Sequence, residues 1–203
     1  MRSPLAKDRE RGAPAGRLQE QAGAWKTWRE RRAFRARSVD ELHVSHKRAK
    51  LLDRLAGEQR LAAEVLRAQR SGRPLTILVI DLDGLKFVND NFGHPAGDEL
   101  IRSFAQCMNK AIRGSDLAVR FGGDEFLVLL PDCKLEEVRY VLNRLSGQKM
   151  EHKGVSMAIG FSAGSANLRS GESAEELLKR ADDALYVNKR ATKDPAGTGA
   201  PGT

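Results

Sequence analysis

The chain has 203 residues, 40% of them hydrophobic, with a formal net charge of +8. That is enough for one packed core plus an extension; no apolar run approaches the roughly 20 residues of a membrane span, and residues 1–30 lack the apolar stretch of a signal peptide. The charge is lopsided, with 19 Lys/Arg against 9 Asp/Glu in residues 1–73 and 16 against 18 in residues 74–203, so the basicity describes the N-terminal third and not the remainder.

Residues 1–37 are rich in Arg, Gly, Pro and Ala without sustained period and read as a disordered basic arm. "AWKTWRERRAFRAR" within it, carrying Trp25, Trp28 and Phe34, is either a solvated tail or a contact for nucleic acid or an anionic membrane. Residues 38–72 form an amphipathic lead-in. Ser38 with Glu41 has the form of a capping box, and Val39, Leu42, His46, Ala49, Leu52, Leu55, Ala62 and Leu66 predict a long helix, interrupted near Gly57 and ending around "RSGRP". That stripe either holds two copies together or packs on its own domain. His46 has no second ligand at helical spacing and reads as a packed or surface residue.

Residues 73–193 alternate between strand and helix patterns. "LTILVID" is an apolar run ending in an acid, as a central strand should be. "DLDGLKFVNDNFGH" contains a short turn, and "PAGDELIRSFAQCMNKAI" is a helix opened by Pro95. "DLAVRF" and "EFLVLLP" make a tight hairpin around "GGD". "KLEEVRYVLNRLS" is helical and "GVSMAIGFSAG" a single strand; "SAEELLKRADDALYVNK" is a helix with Ser173 as N-cap and Glu176 reciprocating. Residues 194–203 are a turn-rich tail. The pattern predicts an α+β domain with a mostly antiparallel sheet covered by helices. Cys107 and Cys133 fit no metal-ligand spacing and read as idle thiols of a cytoplasmic protein.

Chemistry concentrates in the acids. Asp81 ends the buried strand, and if that strand lies beside the hairpin, Asp81 meets Asp124 and Glu125 at the turn. Three converging carboxylates repel one another unless a cation sits among them. Mg²⁺ favours a few carboxylates together with phosphate oxygens, so the cluster predicts a metal–nucleotide site, and side chains absent at Gly122 and Gly123 would let a bulky substrate approach. The turn after Asp81, with Gly84, Leu85 and Lys86, offers backbone N–H groups and a positive charge to phosphates. Asn89 and Asp98 are either guanine readers, a carboxylate matching the paired N1–H and N2–H donors, or simply a turn cap and a helix-start acid.

Taken together, "DLDGLKFVNDNFGHPAGDEL", "RFGGDEF" and "RADDALYVNK" resemble the GGDEF family of diguanylate cyclases over about residues 53–193. The resemblance implies a fold related to nucleotidyl cyclase catalytic domains and polymerase palms, and condensation of two GTP into cyclic di-GMP with release of pyrophosphate. It implies that Asp81 and Asp124 hold Mg²⁺, or Mn²⁺ in its place, with the Leu82 carbonyl assisting and Glu125 completing the site. One turn acid would help deprotonate the attacking 3′-hydroxyl. Asn89 and Asp98 would read guanine, while Lys86, Lys189 and the turn of Gly84 and Leu85 would hold the triphosphate. Each domain would bind one GTP, so activity would need a homodimer. "RGSD", with Arg113 and Asp116, stands five residues before Gly122, the spacing of the family's inhibitory RxxD product site.

Three places depart from the family pattern. "DRLAGEQR" keeps only Asp53, Leu55 and Gly57 of the usual entry turn; Gly84-Leu85 is smaller than the pair that commonly precedes the lysine; and "RATKD" replaces a Gly-Arg-Asn ending, with Lys193 as the nearest substitute for the arginine. They leave a second reading open: a domain of little turnover that senses cyclic di-GMP or mediates interaction.

Overall fold

The computed structural model describes residues 51–193, with side chains through residue 191. The basic arm, most of the lead-in stripe, His46 and the tail after residue 193 lie outside the described residues.

Four strands make the main sheet: β1 (Leu75–Leu82), β2 (Leu117–Gly122), β3 (Glu125–Pro131) and β6 (Phe161–Asn167). Their order is β2-β3-β1-β6, each neighbouring pair antiparallel, so the acid-ended strand is indeed central and the hairpin lies beside it. Helices α1 (Arg54–Ser71), α2 (Leu85–Phe92), α3 (His94–Ala111), α4 (Val138–Leu145) and α5 (Ala174–Lys193) surround the sheet, with a 3₁₀ turn at Leu135–Glu137 before α4. This is the expected α+β architecture.

Both faces of the sheet are covered, which is why β1 is buried along its whole length. Side chains alternate across a strand, and the two faces divide accordingly. Leu78, Ile80 and Leu82 pack with Phe104, Met108 and Phe126 on one face. Ile77 and Val79 pack with Leu127, Leu129, Val65 and Leu185 on the other. The same alternation sends Asp81 to the second face, toward α5.

Three expectations change. Gly57 does not interrupt the lead-in helix: α1 starts at Arg54, capped by Asp53, whose carboxylate accepts from the Ala56 N–H at 2.9 Å. Gly57 lies inside it because any Cβ there would run into the Val119 side chain, so glycine lets α1 approach β2 closely. The packed stripe is also different. Leu61, Val65 and Ala68 enter the core, whereas Leu55 and Leu66 of the predicted stripe are 63% and 52% exposed. Their spacing fits a helix, but hydrophobicity alone did not say which of two apolar stripes faces inward.

"GVSMAIGFSAG" is not one strand. β5 (Val155–Ala158) folds back on β4 (Lys149–His152), and β6 begins only after Gly160. Lys153 and Gly154, at φ 49° and 79°, make the two-residue hairpin, both in the left-handed region that a primed turn requires. The short turn after Asp83 leads within a residue or two into helix α2, which was not singled out from sequence; Leu85, Val88 and Phe92 recur along it at helical spacing, and Val88 is its one buried residue.

Candidate active site

Register builds the site. Asp81 sits opposite Glu125 in β3 and opposite Ser162 in β6, so one row across three strand ends carries all three side chains on the α5 face. Asp124 joins from the hairpin tip, tied to β1 by the Leu82 N–H donating to its carbonyl at 2.8 Å. Ligand atoms of Asp81, Asp124 and Glu125 all lie within 4.8 Å of one another. That is close to the roughly 4.2 Å that opposite ligands of Mg²⁺ span, and hard carboxylate oxygens are the donors such an ion prefers, so the residues fit a divalent ion.

The tip is held in place from below. Arg120 is buried in β2 and donates through Nη2 to the Gly123 carbonyl at 2.8 Å. Burial pushes its guanidinium down to about 10, against the opposing pull of Asp98 and Asp124, and it stays charged at neutral pH. Neither Gly122 nor Gly123 has a positive φ, and beyond their chain neighbours no protein atom comes closer to their would-be Cβ positions than Glu125 Oε2, at 4.0 Å from that of Gly122. The fold itself does not demand glycine there. Open space over the turn is left for something else.

A cavity of about 330 Å³ opens beside the cluster, lined by Asp81, Leu82, Asp83, Gly84, Leu85, Lys86, Asp124, Ser162 and Lys189. Gly84 caps α2 at φ 75° and gives the turn its left-handed step. Lys189 reaches in from α5, with Nζ 2.6 Å from Asp81 Oδ1. Lys86 behaves differently: its side chain is 92% exposed, 3.8 Å from Asp90, on the cavity rim and not at the acids.

Helix α2 packs on the start of α3: a Cβ at Gly97 would strike the Asn89 carboxamide, so the missing side chain at Gly97 is what seats Asn89 there, while Asp98 is the next residue of α3. Arg113 and Asp116 share a turn between α3 and β2. Asp116 is buried and accepts from the Arg113 N–H at 2.8 Å and the Ser115 hydroxyl at 3.3 Å, while Arg113 is exposed. The aspartate is thus engaged in shaping its own loop. Lys193 closes α5, with its side chain outside the described residues.

Three contributors were not singled out from sequence. Arg120 had one signal, a charge inside an otherwise apolar strand. Gly97 had none beyond being a glycine inside a helix. Ser162 donates to both oxygens of Asp83 at 3.2 and 3.4 Å, a contact between residues far apart in the chain with no local trace. Cys107 and Cys133 are free thiols, and burial pushes both up, which leaves them as poor nucleophiles. No helix among the described residues is long and apolar enough to cross a membrane.

Residues 47–195 match the family described as diguanylate cyclase, GGDEF domain. The chain is 41% identical over 148 residues to the diguanylate cyclase DgcP of Pseudomonas aeruginosa, covering 71% of this chain and 22% of that protein. It is 35% identical over 166 residues to the response regulator PleD of Caulobacter vibrioides, covering 76% and 36%. Among solved structures, the GGDEF domain of DgcB from Caulobacter crescentus in complex with c-di-GMP superposes with a TM-score of 0.66 at 30% identity, covering 70% of this chain and 86% of that one. The chain thus spans between about a fifth and about a third of those two curated relatives.

Proposed function

The chain belongs to the GGDEF family of diguanylate cyclases, and from that membership we propose that it condenses two GTP molecules into cyclic di-GMP and two pyrophosphates. The observation that carries this reading is the row of acids at the ends of β1 and β3, brought within 4.8 Å beside a cavity of about 330 Å³. Asp81, Asp124 and Glu125, with the Leu82 carbonyl, hold the metal. When bound, Mg²⁺ or Mn²⁺ neutralises the triphosphate and polarises the α-phosphate.

The protein's share is positioning. Lys189 and the backbone around Gly84 and Leu85 receive the phosphates, and Lys86 adds long-range attraction from the rim. Gly122 and Gly123 leave room for the triphosphate. Asn89 and Asp98 read the guanine edge, whose adjacent donors suit a carboxylate. A turn acid, Asp124 or Glu125, takes the proton of the 3′-hydroxyl as its oxygen attacks the α-phosphorus of the second GTP and the bond to pyrophosphate breaks.

One acidic cluster serves one GTP, so two domains face each other for the double condensation, and the exposed Leu55 and Leu66 of α1 favour a role for the lead-in in pairing them. The product feeds back at Arg113, whose guanidinium stacks on guanine and forks onto phosphate from the turn that Asp116 fixes. Incubating the chain with GTP and Mg²⁺ and separating the products by chromatography tests the reading. Cyclic di-GMP and pyrophosphate in a one-to-two ratio, abolished by EDTA, is the expected result; GTP left intact at high protein concentration would overturn it.

A further inference from the structure

We propose that Lys189 is an internal counter-cation of the acidic cluster, displaced from Asp81 by the divalent ion and taken up by the triphosphate. This deepens the metal reading above and rests on it, adding to phosphate contact a second duty for the same side chain.

Lys189 Nζ lies 2.6 Å from Asp81 Oδ1, and the two side chains are only 21% and 5% exposed. Asp81 is also one of the three carboxylates grouped for a metal ion. An ion held by that group needs an Asp81 oxygen, and an ammonium on the same carboxylate repels it with little water between them. The two cations therefore compete for Asp81. They do not compete for the nucleotide, because the triphosphate brings enough negative charge for both. Lys189 lines the same cavity as Gly84 and Lys86, so it has phosphate within its own pocket once it leaves Asp81.

The chemistry of lysine suits an exchange. Its ammonium is a point charge on a flexible stem with no fixed fork, so it can trade one anionic oxygen for another without losing a bidentate geometry. The consequence is a thermodynamic coupling between metal and nucleotide: the ion alone binds weakly because it must evict Lys189, and each ligand favours the other by the same factor.

The test measures Mn²⁺ binding to the full chain without nucleotide, by the electron paramagnetic resonance signal of free Mn²⁺, in the wild type, Lys189→Met, Lys189→Arg and Asp124→Asn. Lys189→Met should bind Mn²⁺ about tenfold more tightly, as expected for one nearby charge removed in a partly screened site. The same variant should bind GTP with Mn²⁺ more weakly, and Lys189→Arg, whose fork holds a carboxylate more firmly, should bind Mn²⁺ no more tightly than the wild type. Unchanged or weaker Mn²⁺ binding by Lys189→Met, with Asp124-dependent binding intact in the wild type, overturns the proposal and leaves the metal reading standing. No Asp124-dependent Mn²⁺ binding by either the wild type or Lys189→Met, with GTP present or absent, overturns both. If Lys189→Met does not fold, the wild-type chain answers: acetylation of Lys189, read by peptide mass spectrometry, should rise several-fold on adding Mn²⁺ and fall again with a non-hydrolysable GTP analogue. Labelling that ignores Mn²⁺ overturns the proposal.

Discussion

Helix α5 holds two acid–base pairs, one near each end, and they are built on different principles. At the N-terminal end Arg180 donates through Nε and Nη2 to both oxygens of Glu172 at 2.6 Å, and Nη2 also reaches the Asn167 carbonyl. The Arg169 N–H donates to Glu172 as well, and Gln69 of α1 donates to its carbonyl at 2.7 Å. This acid is satisfied several times over and ties α1, β6 and α5 together. At the C-terminal end Lys189 makes one point contact with Asp81, beside two more carboxylates and an open cavity. A forked, fully bonded pair resists exchange; a single contact crowded by like charges invites it. On the function proposed above, the same two charge types serve stability at one end of a helix and chemistry at the other.

Neutralising one partner at each end separates the two roles most clearly. Asp81→Asn should cut cyclic di-GMP formation by about 10²–10³-fold or more, the scale of removing a preorganised charge from a reacting site. Its melting temperature should stay within about 4 °C of the wild type. Arg180→Met should do the reverse. It leaves Glu172 buried without its cation, at a cost of about 3 kcal/mol in stability, while the protein that remains folded keeps its specific activity. Parallel turnover and thermal-melt measurements check both. If Asp81→Asn melts as low as Arg180→Met, the division of labour is wrong.

A smaller loss is expected at Asn89, one of the two proposed guanine readers. Gly97→Ala should displace the Asn89 carboxamide while leaving the helix intact, since alanine is the better helix former by about 1 kcal/mol. Steady-state kinetics should show KM for GTP rising about tenfold, the scale of one lost polar contact, with kcat nearly unchanged. A fall in kcat with KM constant would place Asn89 in the chemistry and not in recognition.

The smallest effect is in pH. Burial alone would raise the Glu172 carboxyl, but the hydrogen bonds from Arg180 and from the Arg169 N–H, with their charges, bring it below the usual glutamate range. A depressed carboxylate contributes stability that is full above its unfolded pKa of about 4.3 and is lost as the pH falls through the folded value. The stability gap between wild type and Arg180→Met, followed by urea melts, should therefore be constant above about pH 5 and narrow below about pH 4. A gap that widens in acid would contradict the sign.

Much of this was legible in the chain because it follows from local periodicity. Asp81 and Glu125 converge because the buried acid-ended strand pairs with the tight hairpin, whose register sets them opposite each other and brings Asp124 in from the tip. Ser173 and Glu176 were legible for the same reason: each accepts the other's N–H, at 3.2 and 2.9 Å. The rest depended on long-range packing. Which stripe of α1 turns inward is decided by β2 and Val119, not by α1. The Ser162–Asp83 bond and the seat that Gly97 gives Asn89 arise from contacts between elements whose residues carry no mark of them. Lys86 lines the cavity as a motif residue, but that its side chain stands 92% exposed on the rim had no local trace either.

The central claim is that the acid row at the hairpin is a metal-dependent catalytic centre and not an ornament of the turn. The most direct measurement is the rate of cyclic di-GMP formation by Asp124→Asn at saturating GTP and Mg²⁺, with thermal melts run on the same preparations. The account predicts a loss of at least about a hundredfold with a wild-type melt; turnover at the wild-type rate in a folded Asp124→Asn protein would contradict it.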